Sequence, residues 1–285
     1  MRKIGAHLSA AGGADKAVER AAAIGANCLQ LFSGSPRVWA RRELETVAFD
    51  KVAAKQQELS VAPIFTHAIY LTNLASHKSD LVDKSLRVLK YDLEFNSRLG
   101  GSGVVVHLGS HQGRGWPAIR RQVAEVLGRL LADAPRNSTL LIENSAGQQG
   151  KVGSDLAEVK WLLDTVGSRR LGWCVDTCHA WAAGYYLGKS APVSDVEFKS
   201  LIDEINRLEL WIDLKCVHVN DSRDPFNSGR DRHANLGEGL VPRADLRYFL
   251  NQRHLRHLPL ILEVPGFDGD GPDARNVELL RRLLR

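Results

Sequence analysis

LGWCVD, residues 171–176, is an unbroken apolar run that closes on a carboxylate and is followed at once by TCH at 177–179. A strand buried on both faces, as under the helices of a parallel sheet, reads as continuous Val, Ile and Leu and normally excludes charge. The acid at the last position is therefore the feature to explain. Working outward, TLLIE (139–143) upstream and KCVH (215–218) downstream have the same form. So do KIGAH (3–7), APIFTH (62–67), VVVH (104–107) and LILE (260–263), while an eighth run, CLQLFS (28–33), ends on Ser33. Seven of the eight runs thus end on His, Asp or Glu.

Between the runs lie stretches with helical periodicity, at 13–24, 49–60, 79–99, 117–133, 154–166, 195–209, 242–253 and 273–284. Alternating strands and helices mark a parallel α/β sheet. Pro117 suits a first helical turn, Ser194 with Glu197 spells a capping box, and Gly100 with Gly101 is placed to end a helix. Eight such units fill a (β/α)8 TIM barrel, whose C-terminal strand ends ring a single pocket to which several strands contribute. An open doubly wound sheet focuses ligands at one crevice and would leave most of these polar ends without a shared target. The expectation is one barrel domain over residues 1–285, a length that fits one barrel better than two folds. Two loops are long for α/β connections, GSPRVWARRELET (34–46) and NDSRDPFNSGRDRHANLGEG (220–239), and long loops at this face are usually working parts.

Net charge is +5 and the isoelectric point about 9.1, a modest bias towards a polyanionic partner. Four cysteines, Cys28, Cys174, Cys178 and Cys216, are few for 285 residues and read as reduced core thiols. Cys174 falls two residues before Asp176, below it on the same side of the strand, and neither Cys174 nor Cys178 is expected to bind metal. The chain has no run approaching the ~18 apolar residues of a membrane span and no signal-peptide pattern at its start. A cytoplasmic monomer, without a membrane partner, is expected.

Collecting the polar strand ends with the adjacent pairs DTCH and DRH gives His67, His107, Glu143, Asp176, His179, His218, Asp231, His233 and Glu263. Imidazoles and carboxylates without thiolates suit zinc, manganese or iron, and a carboxylate can bridge two ions. Nine donors exceed the need of one tetrahedral ion and suffice for two or three. A ring of structural hydrogen bonds is the alternative, but it would bury four carboxylates near five imidazoles with no cation to compensate. Clustered divalent ions favour hydrolysis of a phosphodiester, because they acidify water and stabilise charge on both the attacking and leaving oxygens. Glu143 is the candidate bridging and catalytic carboxylate. His7, His77 and His111 are expected in supporting or surface roles, and His254 and His257 in solvent.

These residues resemble the endonuclease IV family of apurinic/apyrimidinic endonucleases, trinuclear zinc enzymes of base excision repair. The similarity runs nearly end to end, through IGAHLSAAGG (4–13), PRVW (36–39), HAIYLTNLA (67–75), VVHLGSH (105–111), ENSAGQ (143–148), CVDTCHAWAAGYY (174–186), HVNDS (218–222), DRHANLGEG (231–239) and LEVPG (262–266). By that resemblance His67 and His107 bind one Zn2+, Glu143 bridges to a second that also takes Asp176, His218 and Glu263, and a third takes His179, Asp231 and His233. Mn2+ is an alternative occupant of one site. The implied reaction is hydrolysis of the phosphodiester 5′ to an abasic site, leaving a 3′-hydroxyl and a 5′-deoxyribose phosphate, together with removal of blocked 3′ ends. The implied partner is double-stranded DNA carrying those lesions. Arg37, Tyr70 and Leu71 would enter the duplex from the minor groove and fill the gap at the missing base. Arg223 stands where the family commonly has Lys and keeps a phosphate-binding charge with different geometry. Asn227 replaces a usual Gly and Val264 a frequent Thr, and Ala68 with Ile69 makes one DNA-facing loop more apolar.

Two other readings use the same residues. A metal-dependent sugar isomerase or epimerase also gathers His, Asp and Glu at barrel strand ends, with one or two ions. A protein that binds abasic DNA without cutting would need the loops but not all nine donors.

Overall fold

The structure, a computed structural model, describes residues 2–189 and 198–284. The eight apolar runs form eight parallel strands closed into one barrel. They are β1 (Ile4–His7), β2 (Cys28–Phe32), β3 (Ile64–His67), β4 (Gly103–Val106), β5 (Leu140–Glu143), β6 (Leu171–Asp176), β7 (Leu214–His218) and β8 (Leu260–Leu262). Each strand pairs with the next in the chain, and β8 closes on β1 with Ile4 opposite Leu260 and Ala6 opposite Leu262. The TIM barrel is therefore the fold of the chain.

Eight helices fall on the stretches expected from periodicity: α1 (Ala14–Ala23), α2 (Phe49–Leu59), α3 (Ser79–Arg98), α4 (Trp116–Asp133), α5 (Leu156–Val166), α7 (Leu201–Arg207), α8 (Arg243–Leu250) and α9 (Ala274–Leu283). One helix was not foreseen. The short α6 (Thr177–Ala182) springs directly from the end of β6. Pro117 sits in the first turn of α4, and Gly100, at φ +63°, ends α3 while the Gly101 N–H returns to the Asn96 carbonyl at 2.8 Å. The capping box at Ser194 and Glu197 lies outside the described residues, as does the start of the helix expected at 195–209. The described α7 is capped by Ser200, whose Oγ accepts from the Asp203 N–H at 3.2 Å.

Side chains alternate across a strand, and in this barrel both faces are buried. One set, including Leu29, Leu31, Ile64, Val104, Val106, Leu140, Ile142 and Trp173, packs under the helices. The other set, Cys28, Phe65, Val105, Leu141, Cys174, Cys216 and Ile261, forms a separate plug inside the barrel. That double burial is why the runs read as continuously apolar. Gly5 completes the plug by omission, since a Cβ there would lie 2.5 Å from the Cys28 carbonyl and 2.6 Å from its sulfur. Removing a plug side chain such as Leu141 leaves a cavity that costs about 2–5 kcal/mol. Among the described residues no helix is long and apolar enough to cross a membrane.

Candidate metal centre

Two residues beyond each plug position the strands present a second inward ring, because a step of two returns to the same face. The pairs are Gly5 and His7, Cys28 and Gln30, Phe65 and His67, Val105 and His107, Leu141 and Glu143, Cys174 and Asp176, Cys216 and His218, and Ile261 and Glu263. Seven of the eight ring members are the polar ends read from the sequence. The eighth corrects the reading of strand two. Ser33 turns away to donate to Asp92 Oδ1 on α3 at 2.5 Å, and the inward polar group of β2 is Gln30, fully buried in mid-strand.

The nine residues singled out by chemistry meet at this ring. Glu143 is central and fully buried. Its Oε2 lies 3.1 Å from His67 Nε2 and 3.3 Å from His107 Nε2, and its Oε1 lies 3.0 Å from His218 Nδ1 and 3.2 Å from His179 Nδ1. On one side, donor atoms of His67, His107 and Glu143 fall within 4.8 Å of one another; on the other, those of Glu143, Asp176, His218 and Glu263 do the same. Farther out, Asp231 Oδ1 is 3.0 Å from His179 Nε2 and 3.4 Å from His233 Nε2, and Asp176 Oδ2 is 3.7 Å from the latter. Cys174 and Cys216 also approach His218. Burial raises the Cys174 thiol well above its ordinary pKa, and both ring nitrogens of His218 already face other groups, so the sulfurs act as the apolar floor.

Hydrogen bonds on the outer nitrogens fix which imidazole nitrogen faces inward. A backbone carbonyl only accepts, so the nitrogen opposite it carries the hydrogen. His67 Nδ1 donates to the Ala68 carbonyl at 2.6 Å, His179 Nδ1 to the Asn144 carbonyl at 3.0 Å and His233 Nδ1 to the Glu263 carbonyl at 3.2 Å. In the neutral rings each remaining nitrogen is a bare lone pair turned towards a carboxylate. Such an arrangement repels unless positive charge lies between, and orienting carbonyls behind the ring are characteristic of metal-binding histidines. The buried Nε2 atoms of His179 and His233 sit close to Asp231 yet neither is aligned for a hydrogen bond. These orphaned nitrogens, with borderline N and O donors throughout, fit a divalent ion such as zinc.

Without an ion, protons must supply the missing charge. Burial alone would lower the His233 pKa, but Asp176 and Asp231 outweigh it and raise it to about 9. Burial dominates at His107 and pushes it down to about 4, so that ring stays neutral. Burial would also raise Asp231, but His179 and His233 hold it well below the usual carboxylate range.

The surrounding polar residues hold the donors rigidly. Asp176 caps α6, with Oδ1 accepting from the His179 N–H at 2.9 Å, so one residue closes β6, starts the helix and places His179. Asn144 Oδ1 accepts from the Asp176 N–H at 2.6 Å, and Asn220 donates to Asp176 Oδ2 at 2.6 Å while its Oδ1 accepts from the Glu263 N–H at 2.9 Å. Within the loop after β7, Asp221–Ser222 pairs antiparallel with His233–Ala234. Buried Asp221 ties that loop down by accepting the N–H groups of Gly237, Gly239 and Val241 at 2.9–3.1 Å. In the loop after β2, the nearly buried Arg41 side chain donates to the carbonyls of Val38 and Ala40 at 3.0 and 2.9 Å, and its Nε lies 3.9 Å from Asp92. Sequence reasoning passed over Gln30, Asn144, Asn220 and Arg41. For Gln30, Asn144 and Asn220 the available signal was a polar residue inside or just past an apolar run.

A cavity of about 280 Å³ lined by His67, His107, His179 and Asp231 lies over the donors. A larger crevice of about 1100 Å³, lined by Ser9, Gly13, Arg37 and Arg42 among others, adjoins it, with Tyr70, His233 and Glu263 common to both. Tyr70 is 61% exposed and its ring lies edge-to-face with that of Phe32, centroids 5.5 Å apart; Leu71 beside it is 37% exposed. Arg223 is exposed on the loop after β7 and lines neither cavity. His7 Nδ1 lies 2.9 Å from Glu263 Oε1, in the supporting position expected of it.

The chain is similar to known proteins over nearly its whole length. Residues 18–285 match the family described as xylose isomerase-like TIM barrel. The chain is 34% identical over 281 residues to the probable endonuclease 4 of Halothermothrix orenii, covering 98% of this chain and 99% of that protein. It superimposes on the crystal structure of endonuclease IV from Thermus thermophilus with a TM-score of 0.84 at 34% identity, over 99% of this chain and 98% of that one. The 3-keto-D-glucoside 4-epimerase YcjR of E. coli aligns over 99% of both chains with a TM-score of 0.69 but 14% identity, a likeness of fold alone.

Proposed function

The chain belongs to the endonuclease IV family of apurinic/apyrimidinic endonucleases, and on that premise we propose that it is a metal-dependent phosphodiesterase of DNA repair. It hydrolyses the phosphodiester 5′ to an abasic site in duplex DNA, leaving a 3′-hydroxyl and a 5′-deoxyribose phosphate, and also removes blocked 3′ ends. The observation carrying this reading is the Glu143 carboxylate, each of whose oxygens faces two imidazoles at 3.0–3.3 Å.

In this reading His67, His107 and Glu143 hold one Zn2+, Glu143, Asp176, His218 and Glu263 a second, and His179, Asp231 and His233 a third, with Mn2+ acceptable at one position. Bound there, the ions supply Lewis acidity that brings water close to neutral pKa and offsets charge on the phosphate. Glu143 sets the spacing between the two inner groups. Its neighbouring imidazoles, His218 and His179 among them, overcome burial and keep it ionised.

Substrate selection belongs to the crevice and to exposed side chains on the loops after β2, β3 and β7. Arg37 and Arg223 present charge to backbone phosphates, and Tyr70 with Leu71 offers an apolar surface to the gap at the lost base. An abasic nucleotide has no stacking to lose, so turning it outward costs less than turning out a normal one. Side chains wedged at such a step also favour a kinked duplex. The enzyme acts as a monomer, since one chain provides every donor. It acts in the cytoplasm, where its four free thiols stay reduced.

Strand scission of a duplex with one abasic-site analogue, measured with and without chelator beside an ion count, tests the proposal. Chelator-sensitive cutting at the lesion is expected. Tight binding without cutting identifies a sensor, and neither binding nor cutting favours a sugar isomerase or epimerase.

A further inference from the structure

Gln30 touches two of the proposed ligands of the same ion from outside the cluster, and with opposite polarity. Its Nε2 donates to Glu263 Oε1 at 2.7 Å, and its Oε1 accepts from His218 Nε2 at 2.9 Å. The donation to a carboxylate fixes the amide's orientation, since a carboxylate only accepts. The amide oxygen is then the atom facing His218, so the His218 hydrogen resides on Nε2 and the lone pair on Nδ1. That Nδ1 faces inward, 3.0 Å from Glu143 Oε1 and 3.1 Å from Glu263 Oε2. Glu263 is sorted in the same way: Oε1 is held by Gln30, with His7 Nδ1 2.9 Å from the same oxygen, and Oε2 is left for the cluster. Gln30 is fully buried and also lies 3.1 Å from His7 Nδ1, so the amide has no room to turn.

We infer that Gln30 is a positioning residue for the ion held by Glu143, Asp176, His218 and Glu263, selecting the tautomer of His218 and the inward oxygen of Glu263 with one amide. The inference rests on the multi-ion reading of the site. Groups that orient metal ligands from behind typically change affinity by ~10–100-fold when removed. The effect falls on one ion of the set, because Gln30 reaches neither His67 and His107 nor His179 and His233.

The test compares zinc binding by the wild-type protein, Gln30→Leu and Gln30→Glu in competition with a chromophoric chelator, with thermal unfolding of each protein in metal-free and zinc-loaded form. Both variants should hold one zinc ion about 10–100-fold more weakly and the others unchanged. Gln30→Glu has nearly the shape of the original but turns the donor to Glu263 into a repulsive oxygen, which separates polarity from packing. The increase in unfolding temperature on zinc loading should shrink in both variants. A residue with only a packing role would instead lower the metal-free and loaded temperatures together. Equal zinc affinity across the three proteins, or tighter binding in Gln30→Glu, overturns the inference. A wild-type protein that binds no zinc overturns the metal reading itself, a separate and recognisable result.

Discussion

His67 holds Nε2 at 3.1 Å from Oε2 of Glu143 while its Nδ1 is committed to the Ala68 carbonyl at 2.6 Å. A neutral ring so placed turns a lone pair on a carboxylate, and the contact becomes favourable only with a cation or a proton between the two atoms. With similar arrangements at His179, His218 and His233, the proposed function requires the cluster to exchange protons for metal.

Zinc added to the chelated protein should therefore release protons, because ligands must be deprotonated to bind. In a weakly buffered solution at neutral pH, an indicator dye should report acidification that saturates with the zinc. A titration that binds zinc with no proton release contradicts the protonated state assigned to the metal-free cluster.

The metal-free protein should also lose stability in alkali. His233 is raised to about 9 in the folded chain, against ~6.5 when unfolded, so its proton favours the folded state fully below about 6.5. That contribution disappears as pH rises through 9. Unfolding midpoints of chelated protein should fall between pH 7 and 9.5, and saturating zinc should flatten the fall. A chelated protein equally stable across that window refutes the assignment.

Glu143→Gln retains the shape of the central side chain but removes its charge. Cleavage should be abolished, while affinity for abasic DNA stays within about tenfold, or ~1.4 kcal/mol. Single-turnover cutting measured beside fluorescence anisotropy separates the two. Near wild-type turnover would exclude the role given to this carboxylate.

Tyr70→Ala should reduce the preference for damaged over intact duplex more than it slows cutting of bound substrate. Base–aromatic contacts of this kind contribute about 1–3 kcal/mol, and the Tyr70 ring is largely exposed at the rim. Unchanged discrimination in competition binding would remove Tyr70 from lesion recognition.

Asp92 offers a check away from the site. Burial raises its pKa to about 6 despite the Ser33 hydrogen bond and the nearby Arg41. A carboxyl raised in the folded state favours folding below its unfolded value of ~3.9 and loses that contribution as pH climbs to about 6. Replacing it with Asn should remove up to ~3 kcal/mol from the stability difference between pH 4 and pH 7, at ~1.4 kcal/mol per pKa unit. Denaturant titrations at the two pH values measure it, and an unaltered difference would show that Asp92 is not the titrating group.

The barrel was legible because each strand repeats one local rule. Leu141 and Glu143, or Cys216 and His218, alternate with residues that face the helices, and a period of two survives in the linear chain. Gln30 escaped that reading because its run continues three residues past the ring and ends on Ser33. Helix α6 escaped because six residues carry too little periodicity to register, and its start depends on the Asp176 carboxylate capping it. The ribbon carrying His233 is likewise set by distant groups, Asp221 accepting from three backbone amides at 237–241.

Sequence by itself determined the closed eight-strand fold and the chemical identity of the donors, since strand periodicity and residue type are both local properties. Tertiary structure alone decided which donor atoms face one another, which nitrogen of each imidazole turns inward, and that Gln30 joins His218 across 188 positions of chain. Barrel closure brings β2 within reach of β7 and β8, and such proximity has no signature in either segment taken alone.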